Sequence, residues 1–188
     1  MRKLKLQMQI TIDGFVARPD GQTDWMWAPG PRDEQSARRV VELAQTCDTL
    51  LLGRKMTRVF VDHWENIYYN QPNSHEHTLA SLMVNIRKIA FSRTQTAISG
   101  HHLEVENGDL ATAIQALKQQ PGKDIIVYGG AGFVSALVSL NLVDEYYLYI
   151  NPVAIGTGLR IFNGEKRFTL ESSTTFPSGK TLNKYLPV

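Results

Sequence analysis

Asp124-Ile-Ile-Val-Tyr-Gly-Gly-Ala-Gly-Phe-Val-Ser-Ala-Leu-Val-Ser-Leu140 runs from a short apolar strand through Gly129, Gly130 and Gly132 into a helix. Glycines at a strand-to-helix turn tolerate positive φ and bring no Cβ. A diphosphate can therefore approach backbone N–H groups at the positive end of a helix. The same turn can also serve tight packing alone, so its meaning depends on what the other strand ends carry. Gly130-Ala131-Gly132-Phe-Val-Ser135 nearly spells a dinucleotide fingerprint. It ends in serine and has no acidic residue at the expected distance on a second strand, which argues against a standard Rossmann domain.

Two further strand ends resemble it in chemistry. Thr49-Leu-Leu-Leu52 is an apolar strand that stops at Gly53 and continues as Arg54-Lys55-Met-Thr57 into a helix. Lys88-Ile-Ala-Phe91 ends in Ser92-Arg93-Thr94. In an α/β sheet all three junctions can share the carboxyl edge, where ligands bind. A lone Arg54 reads as a solvated surface charge, whereas three such junctions on one edge read as a phosphorylated-ligand site.

The remaining chain alternates strands with helices. Leu4, Leu6, Met8, Ile10 and Ile12 share one face of a period-two strand, with Lys3, Lys5, Gln7, Gln9 and Thr11 on the other, so one face is expected in the core. Asp33 is a plausible cap for a helix carrying Ala37, Val40, Val41 and Ala44. That helix is expected to hold Cys47 in its last turn as a small core residue. The stretch from Val59 to Tyr69 is irregular and aromatic. Glu76 to Asn85 reads as a helix, His102 to Glu106 as a weak strand, and Asp109 caps a helix that Pro121-Gly122 ends. A strand from Tyr146 to Ile150 follows, and Phe168–Thr175 and Thr181–Leu186 add an antiparallel edge. The pattern predicts a single three-layer α/β domain over residues 1–188, mainly parallel, with helices on both faces.

Composition narrows the function classes. The chain has 188 residues, 43% hydrophobic and 20% charged, enough for one sizeable core. Its net charge of +2 is spread without runs of like charge, which argues against nucleic-acid and membrane surfaces. Cys47 is the single cysteine, the alternating first strand is unlike a signal peptide, and no window suits a membrane span. These point to a cytoplasmic protein. His75-Glu-His77 and His101-His102 lack the partner ligands of a metal site. Gly179-Lys-Thr181 lacks the first glycine of a P-loop, and no serine-nucleophile elbow is present. Trp25 and Trp27, in a loop with Pro29-Gly30-Pro31, are read as one wall of a flat ligand site, while Phe60, Trp64, Tyr68 and Tyr69 suit either packing or such a wall.

Taken in order, Ile10-Thr-Ile-Asp-Gly-Phe-Val-Ala17, Leu51-Leu-Gly-Arg-Lys-Met-Thr57, Lys88-Ile-Ala-Phe-Ser92, Val127-Tyr-Gly-Gly-Ala-Gly132, Leu142-Val-Asp-Glu145 and Pro152-Val-Ala-Ile-Gly-Thr-Gly-Leu-Arg-Ile-Phe162 resemble the dihydrofolate-reductase-like superfamily. The branch they resemble is the C-terminal reductase domain of bacterial riboflavin biosynthesis, the reductase part of a bifunctional deaminase-reductase. The resemblance implies an NADPH-dependent reductase passing hydride to a small pyrimidine or pterin, working as a homodimer. It implies that Gly53, Arg54 and Lys55 help hold the cofactor phosphates. Ser92 and Arg93 would take the adenosine side with its 2′-phosphate, and Gly129, Gly130, Ala131 and Gly132 the diphosphate. Asp13 would lie near the nicotinamide as proton source, with Glu145 a second candidate. The carboxylate of dihydrofolate reductases would fall near Ala37, one turn from Asp33 and Glu34, which argues against folate itself. Met56-Thr-Arg-Val-Phe-Val-Asp-His-Trp64 replaces the branch's substrate-phosphate motif and leaves the substrate open. A nucleotide-binding module without turnover is the alternative.

Overall fold

Among the described residues every strand joins one eight-stranded sheet in the order β4-β3-β2-β5-β1-β6-β8-β7. The computed structural model describes residues 1–27 and 33–188, so Pro29-Gly30-Pro31 and the Trp27 side chain lie outside the described residues. The strands are β1 (Leu4–Thr11), β2 (Cys47–Gly53), β3 (Arg87–Phe91), β4 (Leu103–Glu106), β5 (Asp124–Gly129), β6 (Glu145–Asn151), β7 (Phe168–Thr175) and β8 (Thr181–Pro187). From β4 to β6 all neighbours run parallel. The β7–β8 hairpin adds the antiparallel edge. The expected three-layer mixed α/β architecture is present.

Helices α1 (Glu34–Gln45), α2 (Arg54–Asn70), α3 (His77–Asn85), α4 (Leu110–Gln119) and α5 (Ala131–Ser139) make the connections. Leu43, Ala44, Met83 and the partly buried Phe60 pack with Leu50, Leu52 and Ile126 on one face of the sheet. Ile114, Leu117, Val134 and Leu137 pack with Leu6, Leu51 and Val127 on the other. Side chains alternate faces along each strand, so Leu51 and Leu52 feed opposite cores.

Three expectations change. First, β1 is buried on both faces, because it lies centrally between β5 and β6. Ile12 falls beyond the strand and is exposed. Secondly, the aromatic stretch after Val59 is the body of α2. Met56, Phe60 and Trp64 recur every fourth residue and turn toward the core, and the helix stops before Gln71-Pro72, where proline disfavours helical backbone in its predecessor. Thirdly, Cys47 opens β2 instead of closing α1, although it is buried as expected.

The polar side of β1 is tolerated because its charges are paired at the amino edge of the sheet. Lys5 Nζ lies 2.8 Å from Asp124 Oδ2 and 2.9 Å from Thr46 Oγ1. Glu145, 4% exposed, accepts from Lys3 Nζ at 2.6 Å and from the Tyr147 hydroxyl at 2.8 Å. Burial pushes the Glu145 carboxyl up, but Lys3, Tyr147 and Lys184 outweigh it and hold it below the ordinary value. Asp124 is likewise held low, with Lys5 and the Lys3 N–H overcoming its desolvation. Lys88, 2% exposed, donates to the carbonyls of Met83, Val84 and Ile86 and so closes the open end of α3.

Carboxylates held low stabilise the fold above their unfolded values and lose that contribution as pH falls through the folded ones. Melting temperature is therefore expected to fall on acidification below the ordinary values of 3.8 and 4.5. Glu145→Gln should lower stability at pH 7 by about 1.5–3 kcal/mol, the range for hydrogen bonds to a charged group, and flatten the acid limb. Thermal melts across pH check both.

Candidate active site

At the carboxyl edge the backbone of Gly53, which ends β2, closely approaches that of Gly130, which precedes α5. A Cβ on Gly53 would lie 2.8 Å from the Phe133 Cβ, and one on Gly130 would lie 3.2 Å from the Gly53 Cα. Gly130 also has φ +82°, which a side chain rarely adopts. With no side chain on Gly53, Phe133 crosses over it and stacks on Phe91 at the end of β3, with centroids 5.0 Å apart. Adjacent strand ends β3, β2 and β5 are thereby locked together.

Two helix N-termini are brought side by side by that contact. Both α2 and α5 begin after a glycine and have no side-chain cap. In contrast, α1 and α4 are closed by Asp33 and Asp109, which accept from Ser36 N and Thr112 N at 2.9 Å each. The first N–H groups of α2 and α5 have no intrahelical acceptor, and the helix dipoles make that space favourable for an anion. A Cβ on Gly132 would meet nothing within 4 Å, so the first turn of α5 faces open room.

Cations follow the strand ends of β2 and β3. Arg54 and Lys55 are exposed at the start of α2, and Arg93 is exposed just after β3. A cavity of about 390 Å³ is lined by Arg54, Lys55, Arg58, Gln95, Ala97 and Ile98. Sequence reading missed Arg58 and Gln95. Arg58 is four residues beyond Arg54 and shares its helix face, a signal legible only once α2 is read as helical past Val59. Ser92 is buried, and its hydroxyl oxygen accepts from the N–H of Gln95 at 2.8 Å and of Thr94 at 3.2 Å. It shapes the loop that carries Arg93.

The two expected proton donors lie elsewhere in chemistry or in space. The Asp13 carboxylate accepts from the Thr11 hydroxyl, from Gly156 N at 2.8 Å and from Ile155 N at 3.0 Å. Thr11 first, then the two loop N–H groups, hold it below the ordinary carboxylate range. It is an ionised acceptor that ties the loop after β1 to the loop after β6, and it holds no proton near neutral pH. The same loops are joined by Ile12 N to Val153 O, Val16 N to Leu159 O and Leu159 N to Ala17 O. The Arg160 guanidinium lies over the Phe15 ring at 4.3 Å. Glu145 is corrected outright: as the first residue of β6 it occupies the amino edge, opposite Gly53 and Gly129, and its oxygens serve Lys3, Lys184 and Tyr147.

Such a domain, with glycine-capped helices meeting at adjacent parallel strand ends and an antiparallel C-terminal edge, is of the dihydrofolate-reductase-like class. Residues 2–182 match the family model of the RibD C-terminal domain, and the chain belongs to that family. YyaP of Bacillus subtilis (strain 168) is 32% identical over 182 residues, covering 95% of this chain and 91% of its own. A Shewanella sp. PV-4 protein provisionally assigned to riboflavin biosynthesis superposes with TM-score 0.73 at 18% identity, covering 100% and 99% of the two chains. The diaminohydroxyphosphoribosylaminopyrimidine deaminase/5-amino-6-(5-phosphoribosylamino)uracil reductase of Thermotoga maritima gives 0.69 at 17%, with 57% of that chain covered. Among the described residues no helix is long and apolar enough to cross a membrane, and no cluster of three or more His, Cys, Asp or Glu side chains is placed to hold a metal ion.

Gly53→Ala is expected to cost about 1–3 kcal/mol, because the added methyl must displace Phe133 in a packed contact. Gly132→Ala should leave the melting temperature within 2 °C or so of the parent, since the site is open and alanine favours helix. Differential scanning fluorimetry of the two variants gives the contrast.

Proposed function

We propose that the chain is an NADPH-dependent reductase that delivers hydride to a small heterocycle of the aminopyrimidine or pterin kind. The observation that carries this is the pair of uncapped helix N-termini, α2 and α5, held together by Gly53 and Gly130 beside the Arg54–Lys55–Arg58 cavity. Backbone N–H groups and two helix dipoles suit a diphosphate. Arginine forks beside them suit a phosphomonoester, the group that distinguishes NADPH from NADH.

Membership of the RibD C-terminal domain family supports the reading, as does the uracil reductase activity in the name of the Thermotoga maritima neighbour. When bound, NADPH supplies the hydride. Gly129, Gly130, Ala131 and Gly132 would hold its diphosphate, Gly53, Arg54 and Lys55 would share the phosphates, and Arg58, Arg93 and the loop shaped by Ser92 would take the adenosine end. The loops after β1 and β6, pinned by Asp13, wall the side toward the reacting ring. Catalysis then rests on holding donor and acceptor carbons at near-attack distance with water kept out. Asp13, ionised and hydrogen-bonded, acts there by holding the loops and not as the acid.

A second reading, a nucleotide-binding module without turnover, is favoured by one observation: both expected acids are fully engaged in hydrogen bonds or ion pairs. Turnover separates the two. Loss of reduced-nicotinamide absorbance with 5-amino-6-(5-phosphoribosylamino)uracil or dihydropterin supports the reductase. NADPH binding without oxidation by any such compound supports the module.

Replacing Arg58 and Arg93 together by alanine is expected to raise the Kd for NADPH at least tenfold, about 1.4 kcal/mol or more, while changing that for NADH far less. Fluorescence titration with both nucleotides measures it, and equal loss for the two would remove the assigned role in 2′-phosphate recognition. Asp13→Asn should leave NADPH binding within about threefold but speed amide exchange at Ile155 and Gly156, because both N–H groups donate to one carboxylate oxygen and a neutral amide oxygen accepts more weakly than an ionised one.

A further inference from the structure

Arg93 differs from the other cations of the carboxyl edge in how its backbone is held. Arg54, Lys55 and Arg58 stand at the start of α2, so helical hydrogen bonding fixes the points from which they reach out. Arg58 is also tied to Asp62, Nε to Oδ2, at 3.0 Å. Arg93 stands in the connection from β3 to β4, residues 92–102, which contains no helix and no strand. A cation on irregular backbone is aimed only as well as that backbone is fixed, and a binding group that must first be ordered loses affinity to the ordering.

The backbone around Arg93 is held on both its N–H and its carbonyl side. The buried Ser92 hydroxyl accepts from Thr94 N at 3.2 Å and from Gln95 N at 2.8 Å. From outside the connection, the Asn107 side-chain nitrogen donates to Ser92 O at 2.8 Å and to Gln95 O at 2.7 Å. Both facing atoms are carbonyl oxygens, so the amide must present its nitrogen, and its two N–H groups match two acceptors. Asn107 takes its own place from β4. Ser92 N donates to Glu106 O at 3.0 Å, which carries the β3–β4 pairing one step past Phe91, and Gly108 N donates to the Glu106 carboxylate at 2.6 Å. At the far end of the connection His101 N donates to Glu65 of α2 at 3.2 Å. Gly100 packs there so closely that a Cβ would lie 3.0 Å from Leu103 and 3.3 Å from Val61. Between these ties, Gln95, Ala97 and Ile98 line the cavity opposite Arg54, Lys55 and Arg58.

We propose that Asn107 is a positioning residue for recognition of the cofactor's 2′-phosphate, acting through Arg93. It touches no ligand. By holding the carbonyls of Ser92 and Gln95 it keeps the short arc that carries Arg93 in one arrangement, with Gln95 at the cavity wall. The inference rests on the NADPH reading and adds to it a side chain outside the cavity. Asn107 is exposed, so its removal leaves no hole in the core. What its loss changes is the fraction of molecules in which the arc is ready, and the Kd of a ligand that needs the arc rises as that fraction falls. NADH has no 2′-phosphate and makes no such demand on Arg93.

The test is a double-mutant cycle on the full chain, with Asn107→Ala, Arg93→Ala and the pair, each titrated with NADPH and NADH and melted. Each single change is expected to raise the Kd for NADPH about fivefold or more, since a hydrogen bond is worth roughly two- to tenfold in an equilibrium and two are lost at Asn107. The Kd for NADH should stay within about twofold, and the melting temperature of Asn107→Ala within about 2 °C, because the arc can open without the core. In the Arg93→Ala background, Asn107→Ala should weaken NADPH by no more than about twofold, as expected of a residue that works through Arg93. Asn107→Ser, which keeps one donor, enters the same cycle if the alanine variant fails to fold and should shift NADPH in the same direction by less. Equal weakening of both nucleotides would show a merely structural tie and overturn the proposal. Unchanged NADPH binding in Asn107→Ala or in Arg93→Ala, or a full loss that persists without Arg93, overturns it as well. A parent that binds no NADPH removes the cofactor reading and this inference together, whereas a parent that binds NADPH with losses of the wrong pattern removes the inference alone.

Discussion

The carboxyl ends of β3, β2 and β5 are packed together through the absence of two side chains. Gly53 and Gly130 touch backbone to backbone, and Phe133 fills the space that a side chain on Gly53 would need. Stacking of Phe133 on Phe91 carries the contact to a third strand. Without that approach, α2 and α5 would start farther apart, and their unsatisfied N–H groups would face water separately instead of one shared space. The glycines thus act mainly through packing, and the anion-binding character follows from which helix ends the packing brings together.

Side-chain capping differs between the helices: α2, α3 and α5 have none, and α1 and α4 have an aspartate. Asp33 and Asp109 close α1 and α4 with their own carboxylates, and Asp33 also accepts from the Ser178 N–H and hydroxyl, fastening the β7–β8 turn to the start of α1. The helices that start at Gly53 and Gly130 carry no acid in their first turn. An aspartate there would cap the helix and fill that space with negative charge, as Asp33 and Asp109 do at α1 and α4. Asp13 shows the complementary use of a carboxylate: it holds the loop after β1 to the loop after β6.

Much of this was legible in the sequence, and the rest was hidden for physical reasons. Strand ends at Gly53, Ser92 and Gly129 were readable because apolar runs stop there and glycine or basic residues follow. The dual burial of β1 was not, since its alternating Lys5, Gln7 and Gln9 imitate a strand with one wet face; only its central place in the sheet covers them. The body of α2 was obscured because its inward stripe is Met56, Phe60 and Trp64 instead of aliphatic residues. Glu145 looked like an acid beside a family motif, but the direction of β6 sends it to the far edge. The roles of Asp13 and of the Gly53–Gly130 contact required partners more than seventy residues away, which local pattern does not report.

The central position of β1 has a bearing on how the chain acquires its shape. Both hydrogen-bonded neighbours of β1 come late: Leu4 pairs with Ile125, and Lys5 with Glu145. During synthesis, roughly 120 residues must follow before the first of these partners exists, and at about 5–20 residues per second that is an interval of several seconds or more. Through that interval an apolar row of Leu4, Leu6, Met8 and Ile10 has no native sheet to join. Closure of such distant pairs is slow even in the full-length chain. The alternating Lys5, Gln7 and Gln9, awkward to bury in the finished sheet, keep the waiting strand from being apolar on both sides.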